Sequence, residues 1–167
     1  MKIIGETVTP RIEEIYEAIR QCYGSLEEPT FWFVHDAEHE RPYQSVEQAL
    51  SRTFTLKEVT DTNDDVSFVY EVGRGERTWL LQLSMVGPFA VLLHDATGGG
   101  CEPVGLQAAD EIEHEIIHAI QTRGIQILDR EILEVPVALR LYNTDPGRVR
   151  VFQALFSDTD ILPWGNA

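Results

Sequence analysis

The sequence predicts one α+β domain over residues 1–167: an antiparallel sheet, made of a meander plus a C-terminal hairpin, with helices packed on one face. Three observations carry this. Four strand-like segments follow one another between residues 54 and 94, separated by breaks too short for a parallel crossover, which takes about a dozen residues or more. Helical patterns precede and follow that block instead of alternating with it. The length of 167 residues, with 43% hydrophobic and 25% charged residues and no composition shift along the chain, suits a single globular domain.

The first helix is expected over 10–23. Thr9 can cap it, Pro10 suits the first helical position, and Glu13 and Glu14 favour the positive end of the helix dipole. Ile12, Ile15, Ile19, Cys22 and Tyr23 recur at helical spacing, and Gly24 stops the helix. FWFVH (31–35) reads as a short strand. Ser45 to Gln48 reads as a capping box opening a short helix, with Val46, Ala49 and Leu50 on its apolar face. FTLKEVT (54–60), VSFVYEV (66–72), RTWLLQLS (77–84) and FAVLLH (89–94) read as strands. Val66, Phe68, Tyr70 and Val72 alternate with more polar neighbours, as a half-buried strand requires. DTNDD, GRGE and MVGP are the turn clusters between them.

DATGGGCEP is expected to be a loop, followed by the longest helix near 105–123, which ends at Gly124. Asp129 is placed to cap one more short turn. VALRLYN (136–142) and RVRVFQALF (148–156) flank NTDPGR, a strong hairpin turn, and Leu162 and Trp164 of the patternless tail are expected to dock on the body. The core candidates are Ile12, Ile15, Ile19, Phe68, Trp79, Leu81, Val91, Leu93, Ile112, Ile116, Ile120, Leu139, Val151 and Phe152.

Charge narrows the function classes. Against 13 Lys plus Arg stand 28 Asp plus Glu, a net charge of -15 shared by both halves of the chain. Such a surface repels phosphate backbones and anionic lipid, which argues against nucleic-acid or membrane partners. No apolar run approaches the roughly 18 residues of a membrane span, and MKIIGETVTP is too short and polar for a signal peptide. Two cysteines, Cys22 and Cys101, cannot build a disulfide framework. The expectation is a cytoplasmic protein with free thiols.

The sharpest motif is HEIIH, His114 to His118. Two His at i and i+4 of a helix project to one side and can share a metal, with Glu115 as general base. Here the sequence resembles the zincin metallopeptidases. The uncharged residues Ile112, Ile116, Ile117 and Ala119 and the apolar Ile120 extend the likeness over about one helix. The resemblance implies zinc held by His114 and His118 and a water activated by Glu115. Asp129, Glu131 and Glu134 are the carboxylates available as a third ligand; Gln121 and Gly124 stand where the metzincin continuation has Gly and His. The helical wheel opposes this. At 100° per residue, His114 and His118 lie about 160° from Ile116, on the side shared with Asp110, Glu111 and Gln121. HEIIH is therefore expected not to be a working zinc site.

Four weaker constellations remain. His35 and His39, with Asp36, Glu38 and Glu40, offer ligands for a divalent ion if their loop brings them together; an acidic turn is the plainer reading. His94 and Cys101 form a conceivable nucleophilic pair without an activating base in evidence. Gly98, Gly99 and Gly100 lie between a strand and a helix, where backbone N–H groups can cradle phosphate, but Asp95 and Glu102 would repel it and a flexible loop fits better. Arg140, Arg148 and Arg150 gather on the expected hairpin, where acids of the same chain can compensate them or a carboxylate or phosphate ligand can bind.

Two functional readings follow. The first is a non-catalytic, acidic cytoplasmic protein that binds another protein of basic surface. In size and charge alone it resembles the immunity proteins that neutralise basic bacterial toxins. Glu111, Glu113 and Glu115 on the long helix, and Glu38 and Glu40 after the first strand, are the acids without evident capping or turn duty, and so the expected contact residues. The alternative is a small zinc-dependent hydrolase built on His114, Glu115 and His118.

Overall fold

Short turns between alternating strands leave the chain little choice but to reverse onto itself. In the computed structural model, which describes residues 12–165, it does so four times, three of them within the expected meander. β1 (Thr55–Glu58), β2 (Ser67–Arg74), β3 (Arg77–Ser84) and β4 (Phe89–Asp95) form the expected antiparallel meander. Two short strands complete a six-stranded sheet along the free edge of β4. β5 (Cys101–Pro103) pairs antiparallel with residues 93–95, and β6 (Gln126–Ile127) pairs parallel with residues 89 and 90. The sheet is mixed but mostly antiparallel, and the fold is α+β.

The helices are α1 (Ile12–Tyr23), α2 (Trp32–Glu40), α3 (Gln44–Ser51), α4 (Glu111–Gln121), α5 (Arg130–Leu133) and α6 (Val151–Leu155). They lie on both faces of the sheet, not on one. Successive side chains of β4 point to opposite sides and enter different cores. Ala90 and Leu92 join Phe68, Trp79 and Leu81 under Leu50 of α3 and Ile116 and Ile120 of α4. Phe89, Val91 and Leu93 join Ile15, Ile19 and Tyr23 of α1, Leu133 of α5 and Phe152 of α6. Each large apolar side chain buried this way contributes about 1.5–3 kcal/mol. The predicted core is buried apart from Ile12 and Ile112, which are half-buried.

Three segments depart from expectation. Residues 31–35 do not form a strand: Trp32 to Glu40 is helix α2. Four consecutive apolar residues carry no period that separates strand from helix, and Phe33, Val34 and Ala37 supply a helical stripe that packs on the core. The segment flanking NTDPGR is not a hairpin. Its turn exists, with Arg148 N–H donating to the Asp145 carbonyl at 3.0 Å, but the flanks share one bridge, Pro136 with Arg150. Residues 151–156 are buried on every side and 151–155 coil into α6. The long helix begins at Glu111, not near 105, because Asp110 caps it.

Smaller points follow. Thr9 and Pro10 lie outside the described residues. Ser45 does not cap α3, which starts one residue earlier, after Tyr43. Asp129 does cap α5, accepting from Ile132 N–H at 3.0 Å. The tail docks as expected: Leu162 is buried, and the Trp164 ring meets Phe152 edge-on.

Candidate functional site

On α4 the structure separates the acids that the sequence groups together. Asp110 accepts the Glu113 N–H at 2.9 Å, and the Glu113 carboxylate reaches back to the Asp110 N–H at 3.1 Å. The other Glu113 oxygen accepts Trp79 Nε1–H at 3.0 Å and stands 3.5 Å from His94 Nδ1. Glu113 is 4% exposed, so it has a capping duty after all and offers no contact surface. Arg77 lies over the Trp79 ring and reaches Asp110 at 2.8 Å. Arg74 grips both oxygens of Glu115, at 2.7 and 3.1 Å, and holds this carboxyl below the usual carboxylate range. Glu115 is thus tied to the sheet, while Glu111 stays exposed.

His114 and His118 both face outward and are exposed. Among the described residues no three His, Cys, Asp or Glu side chains assemble into a ligand set. His35 and His39 lie on α2, not in a loop, and both are exposed with Glu38 and Glu40. His94 sits opposite Glu102 across the β4–β5 pair, whereas Cys101 sits opposite Asp95. Neighbouring positions of a strand project to opposite faces, so His94 and Cys101 do not meet. Burial, and then Asp95, push the Cys101 thiol up. The glycine run joins β4 to β5, two strands rather than a strand and a helix, with Gly98, Gly99 and Gly100 at φ 102°, 102° and 75°. Arg148 lies 4.0 Å from Asp145, and Arg150 donates to the Gly147 and Val149 carbonyls. Arg148 and Arg150 are thus engaged by groups of their own turn, while Arg140 is exposed and its backbone N–H donates to the Leu26 carbonyl.

A different set of residues converges at a groove of 390 Å3 between α2, the 61–65 turn and Tyr142. Phe31, Val34 and Glu38 line it from α2 and its cap, at helical spacing. Tyr142, 87% exposed, stacks at a 31° tilt on Phe31 with ring centroids 5.8 Å apart. Asp64, Asp65 and Asp158 supply the remaining carboxylates. Each of these is fixed by neutral donors. Asp158, 7% exposed, accepts Tyr142 N–H, Asn143 N–H and the Thr144 hydroxyl at 3.0, 2.9 and 2.7 Å, and so positions Tyr142. Asp65 accepts Asp61 N–H and the Ser157 hydroxyl, and Asp64 accepts Asn143 Nδ2–H at 2.8 Å.

Among the described residues, none of Glu38, Asp64, Asp65 and Asp158 has a cationic side chain within 4.0 Å. Burial pushes the Asp65 carboxyl above its usual range, against the pull of its two hydrogen bonds. Trp32, next to Phe31 at the start of α2, is 76% exposed. An exposed aromatic ring, Tyr142, next to uncompensated carboxylates complements a basic side chain, whose charge the acids attract and whose stem the ring covers.

Of the expected contact residues only Glu38 belongs to this groove. Among the described residues no helix is long and apolar enough to cross a membrane. The chain matches no protein-family model, no curated protein and no solved structure.

Proposed function

We propose that this chain binds another protein, and that the partner presents a basic surface to the face formed by α2, the 61–65 turn and Tyr142. The observation that supports this is the groove itself: four carboxylates without a cationic partner within 4.0 Å among the described residues, beside half-buried Phe31 and exposed Tyr142. Aromatic residues are enriched where protein interfaces carry their binding energy. Uncompensated acids add attraction over a Debye length of about 8–10 Å at ordinary salt, which steers encounter with a cationic partner. The net charge of -15 destabilises the compact chain by self-repulsion, and a basic partner would relieve it. The hydrolase alternative gains nothing here, because Arg74 occupies the carboxylate that would activate water.

The test is association with a partner captured at low salt and then purified. Its association rate should fall about tenfold or more between low and physiological salt. Reversing Asp64 and Asp65 to Lys should slow it further, while reversing Glu111 should do less. A rate indifferent to salt and to all three changes would defeat the proposal.

A further inference from the structure

We infer that the groove receives one arginine side chain of that partner, its guanidinium lying against Tyr142 and within reach of Asp64, Asp65 and Glu38. This rests on the proposed binding face and names the group it reads. Three features favour arginine. First, the lining joins apolar or aromatic Phe31, Val34 and Tyr142 to the acids Asp64, Asp65, Asp158 and Glu38; its one basic side chain among the described residues is His35, which is exposed. An arginine joins two matching parts, an apolar stem and a planar charged head that stacks on aromatic faces.

Second, the carboxylates retain acceptor capacity. Asn143 engages one oxygen of Asp64. Each oxygen of Asp65 carries one recorded donor, Asp61 N–H or the Ser157 hydroxyl. Glu38 accepts no hydrogen bond among the described residues. A carboxylate has about four acceptor sites, so donors of a guanidinium fork find lone pairs on more than one acid at once. Third, a guanidinium is more weakly hydrated than an ammonium, so entering a partly apolar groove costs it less water. The molecule makes the same contact elsewhere: Arg74 lies 4.0 Å from the centre of the Phe54 ring while paired with Glu115, and Arg77 lies 4.5 Å from Trp79 while paired with Asp110. In the groove the ring and the acids are present and the arginine must come from outside.

The experiment is a backbone amide NMR titration of the full chain with N-acetylarginine amide, N-acetyllysine amide and the neutral N-acetylcitrulline amide. The arginine probe should shift amides around Phe31, Asp64, Asp65 and Tyr142 with a millimolar Kd, as expected of one side chain. The lysine probe should bind several-fold more weakly, and the citrulline probe should not saturate. Tyr142→Ala and Asp65→Asn should each weaken arginine binding by about fivefold or more. Glu111→Gln should leave it unchanged, and matching circular dichroism would show both groove variants folded.

Equal, diffuse shifts from arginine and lysine would overturn the inference, as would unchanged affinity in folded Tyr142→Ala and Asp65→Asn. The two proposals fail separately. A basic partner whose association is slowed by reversing Asp64 and Asp65 to Lys, yet ignores Tyr142→Ala and Asp65→Asn, would overturn the arginine pocket and keep the binding face. Groove-specific arginine binding without any salt-dependent protein association would support the pocket and sink the wider reading.

Discussion

The acids around α4 and the acids around the α2 groove belong to the same net charge and have opposite surroundings. Near α4 every acid that touches the sheet has a partner: Arg77 for Asp110, Arg74 for Glu115, and the Trp79 indole for buried Glu113. In the groove, Asp64, Asp65 and Asp158 are oriented only by amides and hydroxyls. Acidity along the sequence is therefore a poor guide to binding. A carboxylate already matched by its own chain serves the fold, and a carboxylate left unmatched keeps its field for something else. Exposed ion pairs of the first kind contribute little each, but they remove the charge from what a partner would meet.

This contrast can be broken where its effect is largest. Glu113→Ala removes the return half of the capping box, about 1 kcal/mol, and leaves a buried indole N–H unsatisfied, about 1–3 kcal/mol. Urea unfolding should show a loss of about 2–4 kcal/mol. Glu113→Gln keeps an acceptor for Trp79 and should lose less than half of that. A change below about 1 kcal/mol for the alanine variant would mean that Glu113 is no more structural than the groove acids.

Asp65 should respond in the opposite sense. Its folded pKa is raised by burial. Its contribution is then fully present below the unfolded carboxylate value and is lost as pH rises through the raised folded pKa. Asp65→Asn, which cannot ionise, escapes that loss. The variant should match the parent near pH 3 and exceed it at pH 7 in thermal midpoint, with the gap opening between. A variant less stable at pH 7 than at pH 3, relative to the parent, would show that the hydrogen bonds from Asp61 and Ser157 outweigh burial.

The acids paired on α4 titrate the other way. Asp110 is held down by the Glu113 N–H and then by Arg77, and Glu115 by Arg74. Stability from depressed carboxylates is present above their unfolded values and lost as pH falls through the folded ones. Glu115→Gln should flatten the acid limb of the melting curve below about pH 4.5 with a small change at pH 7. The effect should shrink further in 1 M salt, where screening is short-ranged. An unaltered acid limb would detach Glu115 from Arg74.

The meander was legible because period-2 alternation at Val66, Phe68, Tyr70 and Val72 coincides with turns too short for any other connection. Helix α2 was not, since FWFV has no period, and its end depends on Arg41 adopting a positive φ of 49°. Residues 151–156 misled for a related reason: apolar except for Gln153 and buried throughout, they satisfy a strand or a helix until packing decides. The Asp110–Glu113 capping box was present in the sequence and hidden by starting the helix too early. The groove lay furthest from view. Its walls come from residues 31–38, 62–66, 142 and 158, and only the folded chain brings them together. DTNDD announces a turn, and nothing local to Asp158 announces that it is buried beneath Tyr142.

The smallest expected effect concerns HEIIH, and it sharpens the contrast by asking whether α4 has any ligand chemistry beyond its ion pairs. A zincin-like site needs two imidazoles turned toward a third ligand, at about 2.0–2.2 Å from a shared metal, and a carboxylate free to take a proton from water. His114 and His118 point to solvent from the outer side of α4, and the Glu115 carboxylate is spent on Arg74. Two helical imidazoles alone can still take up zinc weakly. The purified chain should therefore carry well under one zinc per molecule, and chelation should leave the thermal midpoint unchanged. The double variant His114→Ala, His118→Ala should unfold at the same urea concentration as the parent, because neither ring packs on the core. Near-stoichiometric zinc that disappears with these two residues, together with a lower midpoint on chelation, would reverse the assignment: α4 would then be the working face, and the unmatched acids of the groove would need another explanation.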